Sequence, residues 1–233
     1  MSTEHARRVS TAVTARGLFD YQDMFALGAA ELAAASILDC PAGASPFGAQ
    51  VRARGGRVLS VDPAYHQPAE DVLAQVAANL ERRDWLAAHA EGIDWTYLGS
   101  PDAHIRASQV AADLFAVDYR SHPEHYAAAA LPDLPFADDC FDLALSGHLL
   151  FAYDQALSID QHVAALLELV RVTRGEVRVH PVHALHEAGP ARYAHLDHVR
   201  DVLDDHGIVT ELRPISKSWI VGARQMLVCA PTR

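Results

Sequence analysis

Ile37-Leu38-Asp39-Cys40-Pro41-Ala42-Gly43-Ala44-Ser45-Pro46-Phe47 reads as a buried strand that opens through small residues into a helix. Small side chains let the backbone approach a ligand closely, and the N–H groups of a following helix favour polar or anionic groups there. The next strand-like run, Val58-Leu59-Ser60-Val61-Asp62-Pro63, places a carboxylate 23 residues after Asp39. A carboxylate about 20 residues past the small-residue turn of a βαβ unit can accept hydrogen bonds from both hydroxyls of a ribose. Each signal alone also has a plain reading. Gly43 stands alone where dinucleotide folds carry three glycines, and Asp62 before Pro63 also suits the start of a turn.

Outward from this unit, short β-rich runs alternate with helical ones. The strand-like runs are Ser36 to Cys40, Arg57 to Val61, Tyr126 to Ala130, Phe141 to Leu145, Val177 to Pro181, Val209 to Arg213 and Met226 to Cys229. Helical patterns cover Pro46 to Arg54, Pro68 to Asn79, Asp102 to Ala116, Gln161 to Val172 and Leu196 to His206, with Gly55-Gly56 and Gly207 as stops. The alternation predicts an α/β fold, a parallel sheet covered by helices on both faces. Runs such as Phe141-Asp142-Leu143-Ala144-Leu145-Ser146 are apolar nearly throughout, as strands buried on both sides require. Residues 1–35 read as an N-terminal extension or lid whose Leu18 to Ala35 is helical, ahead of one domain spanning 36–233.

The 233 residues are half apolar and one-fifth charged, a balance that excludes disorder, collagen and coiled coil. With 19 Lys and Arg against 30 Asp and Glu the net charge is −11, so nucleic-acid phosphates and anionic membranes are poor partners. Cys40, Cys140 and Cys229 are odd in number and each lies in an apolar setting. They read as buried, reduced thiols of a cytoplasmic protein. Met1 to Arg16 has no apolar signal core and reads as a frayed end, and no stretch approaches 18 uninterrupted apolar residues.

Leu134-Pro135-Phe136, an acidic turn, then Phe141-Asp142-Leu143 leading to Ser146-Gly147-His148 resembles the class I S-adenosylmethionine-dependent methyltransferases. Glu168-Leu169-Val170-Arg171-Val172 followed by Arg174-Gly175-Glu176 resembles their helix and turn before strand five, so the likeness covers Ile37 to Pro181. It implies a Rossmann-like, mostly parallel sheet of seven strands whose last strand is antiparallel. It also implies S-adenosylmethionine as cofactor. Asp39, Pro41, Ala42 and Gly43 would then face its methionine part and ribose, and Asp62 would take the ribose hydroxyls. Pro63 and Tyr65 would lie near the adenine face, Ala130 and Leu131 along its edge, and Ser146, Gly147 and His148 beneath the sulfonium. The chain departs from the family in its single loop glycine and in Ala130, which stands where many members place an acid for the adenine amino group; Asp133 is an outside candidate for that contact.

In methyl transfer the sulfonium supplies the activated carbon, and the protein aligns a nucleophile and excludes water. Where a base is needed, His148 or Tyr153 is the candidate, with core packing the competing reading for His148. Phe19, Tyr21 and Phe25 precede the first strand, where Tyr21 is a candidate active-site aromatic for cation–π contact with the sulfonium, whereas Phe25 reads better as packing. The expected partner is a small-molecule substrate, and a homodimer is compatible with the sequence. Only 182–208 separate strands five and six, which also admits a cyclase or lyase that turns the cofactor itself into methylthioadenosine and, for example, azetidine-2-carboxylate. A non-catalytic S-adenosylmethionine-binding domain is the remaining alternative. A nicotinamide dehydrogenase is disfavoured, because the Gly-x-Gly-x-x-Gly turn is absent. His180, His183, His186, His195 and His198 crowd 19 residues, but Pro181, Gly189 and Pro190 break the segment, and no metal site is expected.

Overall fold

The computed structural model describes residues 13–80, 89–153, 156–186 and 189–232. Its main sheet contains β1 (Ser36–Asp39), β2 (Arg57–Val61), β3 (Tyr126–Ala127), β4 (Phe141–Gly147), β5 (Thr173–His180), β8 (Ile208–Pro214) and β9 (Gln225–Pro231); β6 (His183–His186) and β7 (Gly189–Arg192) form a separate hairpin. The strand order is β3-β2-β1-β4-β5-β9-β8. The first five strands are parallel, and β9 runs antiparallel between β5 and β8. This is the Rossmann-like sheet that the resemblance implies. The order reverses between β1 and β4, so a crevice opens beyond their carboxyl ends.

Alternation along the strands divides the core between two helical layers. Ile37, Leu143 and Leu145 pack with Leu18, Phe25 and Phe47 of α1 (Leu18–Phe25) and α3 (Phe47–Arg52). Leu38 and Ala144 face Leu166, Leu169, Leu196 and Leu203 on the helices Ile159–Arg171 and Leu196–Asp205. Ser158 and Gln161 form a capping box that starts the first of these helices. Arg178 is buried in β5 yet fully paired: it meets Glu31 at 2.6 Å and Glu176 at 2.8 Å, and donates to the Phe25 carbonyl at 3.0 Å. These charge-assisted bonds tie α1 and α2 (Ala29–Ala34) to the sheet.

All seven expected strands exist, Arg57–Val61 at the expected bounds and the others with shifted ends. The run Tyr126 to Ala130 pairs only at Tyr126–Ala127, and the strand expected at Val177 to Pro181 begins at Thr173. The helix expected over Asp102 to Ala116 spans Pro101–Ser121, capped by Ser100. Leu18 to Ala35 is two helices, because Ala26 adopts φ +51° and ends the first. Of the histidine-rich segment, His183–His186 pairs with Gly189–Arg192 as a hairpin, and His198 lies on the helix Leu196–Asp205. Cys40 and Cys229 are buried as expected, whereas Cys140 is exposed in the turn before β4. Among the described residues no helix is long and apolar enough to cross a membrane.

Candidate functional site

The ends of β1 and β2 are knitted together by main-chain groups. Ala42 N–H donates to the Val61 carbonyl at 2.9 Å, and the Tyr65 hydroxyl donates to the Gly43 carbonyl at 2.6 Å. Gly43 N–H donates to Asp62 Oδ2 and Ala64 N–H to Asp62 Oδ1, both at 2.9 Å. Each Asp62 oxygen therefore keeps acceptor capacity for a ligand. Burial pushes this carboxyl up from its ordinary range while the two N–H groups pull it back.

Gly43 has φ +58°, and a Cβ there would lie 2.7 Å from the Thr14 carbonyl oxygen. Glycine is required at this position by both conformation and space. The neighbour it admits is a strap of residues 13–16. Ala44 N–H donates to Thr14 O at 3.0 Å, the Ser45 hydroxyl donates to Arg16 O, and Asn79 Nδ2 donates to Val13 O at 3.0 Å. Residues 13–16 are therefore built into the molecule rather than frayed. Residues 1–12 lie outside the described residues.

Strap, loops and strand ends enclose a cavity of 740 Å³. Of the residues singled out from sequence, Tyr21, Pro41, Ala42, Gly43, Asp62, Pro63, Ala130, Leu131, Gly147, His148 and Tyr153 line it. Asp39, Tyr65 and Ser146 are not on its wall. Asp39 is fully buried beneath Tyr21, whose hydroxyl donates to both its oxygens at 3.1 and 3.0 Å. Burial raises Asp39 well above the usual carboxylate range. Tyr65 stacks with Phe115 and meets Tyr126 edge-on in a separate aromatic cluster, and Ser146 is buried without a partner for its hydroxyl. Phe19 faces solvent, Phe25 packs in the core, and Asp133 is exposed away from the wall.

Beyond β4 the chain turns sharply at His148, where φ is +55°. Its N–H donates to the His180 carbonyl at 2.8 Å, and Trp219 Nε1 donates to its Nε2 at 2.9 Å. Accepting at Nε2 assigns the proton to Nδ1, which is buried with no partner. Burial, helped by Arg16 and His180, holds His148 well below its ordinary value, so the imidazole is neutral. Sequence reading missed Arg16, His104 and Trp219 on this wall. The histidines between 180 and 198 form no metal-like group among the described residues, where His122, Glu124 and His125 on the surface are the one such cluster.

No family model matches the chain. A protein of Methanocaldococcus jannaschii described as uncharacterized protein MJ0045 is 27% identical over 177 residues, covering 74% of this chain and 78% of that one. Magnesium protoporphyrin IX methyltransferase of Synechocystis PCC 6803, solved with bound SAM, is 11% identical with a TM-score of 0.47, over 87% of this chain and 72% of that one. The 1,6-didemethyltoxoflavin-N1-methyltransferase of Burkholderia thailandensis, solved with its substrate and S-adenosylhomocysteine, is 15% identical with a TM-score of 0.44, over 84% and 69%. TM-scores below 0.5 leave the function to the geometry of the site.

Proposed function

We propose that the cavity binds S-adenosylmethionine and that the chain is a methyltransferase acting on a small molecule. The observation that carries this reading is Asp62: a buried carboxylate on the cavity wall at the end of β2, oriented by Gly43 N–H and Ala64 N–H and still able to accept from a ribose. Pro41, Ala42 and Gly43 beside it would face the ribose and methionine part. Pro63 and Ala129 to Pro132 would flank the adenine, with backbone rather than an acidic side chain on its edge. Gly147 and His148 would lie under the sulfonium. Asp39 would support this arrangement from behind as a positioning residue, holding Tyr21 on the wall.

The wall continues past the strand ends onto Leu149, Leu150, Ala152, Tyr153, Ala156 and Leu157, giving an apolar extension for an acceptor. The volume lies in the range of small-molecule sites. A shortage of room therefore no longer argues for a self-reacting cofactor. When bound, S-adenosylmethionine supplies the activated methyl group; the residues of the chain align the acceptor and exclude water. The lone pair of His148 is occupied by Trp219 and its protonated form is disfavoured by burial, so it is a poor general base. This favours an acceptor that arrives already nucleophilic, such as a thiolate, phenolate or amine.

The test is calorimetric titration of S-adenosylhomocysteine into the wild-type chain, followed by incubation with labelled S-adenosylmethionine and a panel of small thiols, phenols and amines. Saturable binding with label transferred to one acceptor is expected. Absence of binding would sink the reading, and methylthioadenosine formed without any acceptor would replace transfer by cleavage of the cofactor.

A further inference from the structure

Arg16 brings a guanidinium to the cavity wall beside Trp219, with Cζ 5.9 Å from the centre of the indole. Its NH1 donates to Thr14 Oγ1 at 2.6 Å. Among the described residues no carboxylate stands within ion-pair distance of it. Asp20 is the acid whose field it feels most, and the Asp20 oxygens already accept from Gly17 N–H at 3.0 Å and from the Tyr97 hydroxyl at 3.2 Å.

The other groups around it do not balance its charge. Burial holds Tyr21 and Tyr97 above their ordinary range and His104, His148 and His180 below theirs, so all five are neutral at pH 7. The same corner holds the buried, unpartnered Nδ1–H of His148, a second donor lacking an acceptor. A desolvated cation is costly unless paired, and the planar fork of arginine matches a carboxylate with two parallel hydrogen bonds. An anion arriving with the ligand would balance the guanidinium.

We propose that Arg16 is the anion receptor of the cavity and holds a carboxylate of the bound ligand in the corner between the strap and Trp219. Two ligands present that chemistry: the amino-acid tail of the cofactor proposed above, and an acidic methyl acceptor. The first source rests on the cofactor reading, and the second makes the acceptor a small carboxylic acid.

The experiment compares wild type with Arg16→Gln and Arg16→Lys by calorimetry. The probes are S-adenosylhomocysteine, methylthioadenosine, which keeps the nucleoside but lacks the amino-acid tail, and benzoate against benzamide with methylthioadenosine present. A loss of tenfold or more by Arg16→Gln toward S-adenosylhomocysteine, with methylthioadenosine unchanged and Arg16→Lys intermediate, places the tail of the cofactor there. Unchanged S-adenosylhomocysteine binding with loss of a wild-type preference for benzoate over benzamide places an acidic acceptor there. The proposal is overturned if Arg16→Gln binds both carboxylates as wild type does, or if its methylthioadenosine affinity falls equally. Should wild type fail to bind methylthioadenosine, the cofactor reading falls by itself, and benzoate without nucleoside still judges Arg16.

Discussion

At one end of the cavity Gly43, Asp62 and Ala64 are held by main-chain hydrogen bonds within a single βαβ unit, whereas at the other Arg16, His148 and Trp219 come from three distant segments. The first end is organised before any ligand arrives. Among the described residues, the second carries the unpartnered Nδ1–H of His148 and a guanidinium with no carboxylate at ion-pair distance. The contrast separates recognition of a common ligand part, which a local motif can encode, from recognition of a particular partner, which long-range packing builds. It predicts that substitutions at the first end damage binding of every ligand, and that those at the second end change which ligand is preferred.

The largest effect is expected from Asp62→Ala. It removes the acceptors for two ligand hydroxyls as well as for Gly43 and Ala64 N–H, at roughly 1.5 to 3 kcal/mol per charge-assisted bond. Affinity for S-adenosylhomocysteine and for methylthioadenosine should fall together by about 100-fold or more. A loss confined to one of the two would break the comparison, because the ribose end is meant to serve both.

Acid should act through the other end. Burial lowers His180 to about 4 and His148 and His183 below their ordinary value. As pH falls below about 6.5 the unfolded chain takes up these protons first, so stability is full above that value and is lost toward pH 4. His180 alone contributes roughly 3 kcal/mol as an upper bound. Denaturant unfolding at pH 7 and pH 5 checks this, and His180→Asn should flatten the slope. Asp39 and Asp62, raised by burial, act with the opposite sign, so the assignment is refuted if His180→Asn leaves the slope unchanged.

Gly43→Ala tests how the ends communicate. A Cβ at φ +58° costs about 1 to 2 kcal/mol in conformation, and here it also meets the Thr14 carbonyl, pushing the strap off the loop. Thermal stability should fall, and Arg16 should lose its place in the corner. Selectivity for carboxylate ligands should therefore weaken together with affinity. Intact carboxylate selectivity in a destabilised Gly43→Ala would show that the corner does not depend on the strap.

How the two ends could be read from sequence follows the same division. Ile37 to Phe47 and Val58 to Pro63 announce themselves because strand, small-residue turn and carboxylate are local and in register, and all seven sheet strands were legible as short β-rich runs. The strap was not, since Val13 to Arg16 has no periodicity and owes its order to Ala44, Ser45 and Asn79. Trp219 sits in the loop between β8 and β9, where a single tryptophan carries no pattern. Gly189 and Pro190 suggested chain breaks but are part of a hairpin strand. The resemblance placed Asp39 at the site; Tyr21 covering it is a tertiary fact.

Trp219→Phe carries the smallest expected effect and, beside Tyr21→Phe, the sharpest contrast. Tyr21→Phe leaves a buried carboxylate short of its donor, costing about 1 to 3 kcal/mol of stability, yet transfer should persist because the hydroxyl is committed to Asp39. Trp219→Phe keeps an aromatic face beside Arg16 but frees His148 Nε2, at a cost of about 1 kcal/mol or less. The freed imidazole gains a lone pair open to the cavity and becomes a better base. Acceptors that need deprotonation should then react faster relative to preformed thiolates, because burial keeps the freed imidazole neutral. An unchanged acceptor profile would mean that the Trp219 hydrogen bond does not restrain His148, and that this end of the cavity is as rigidly committed as the end built on Asp62.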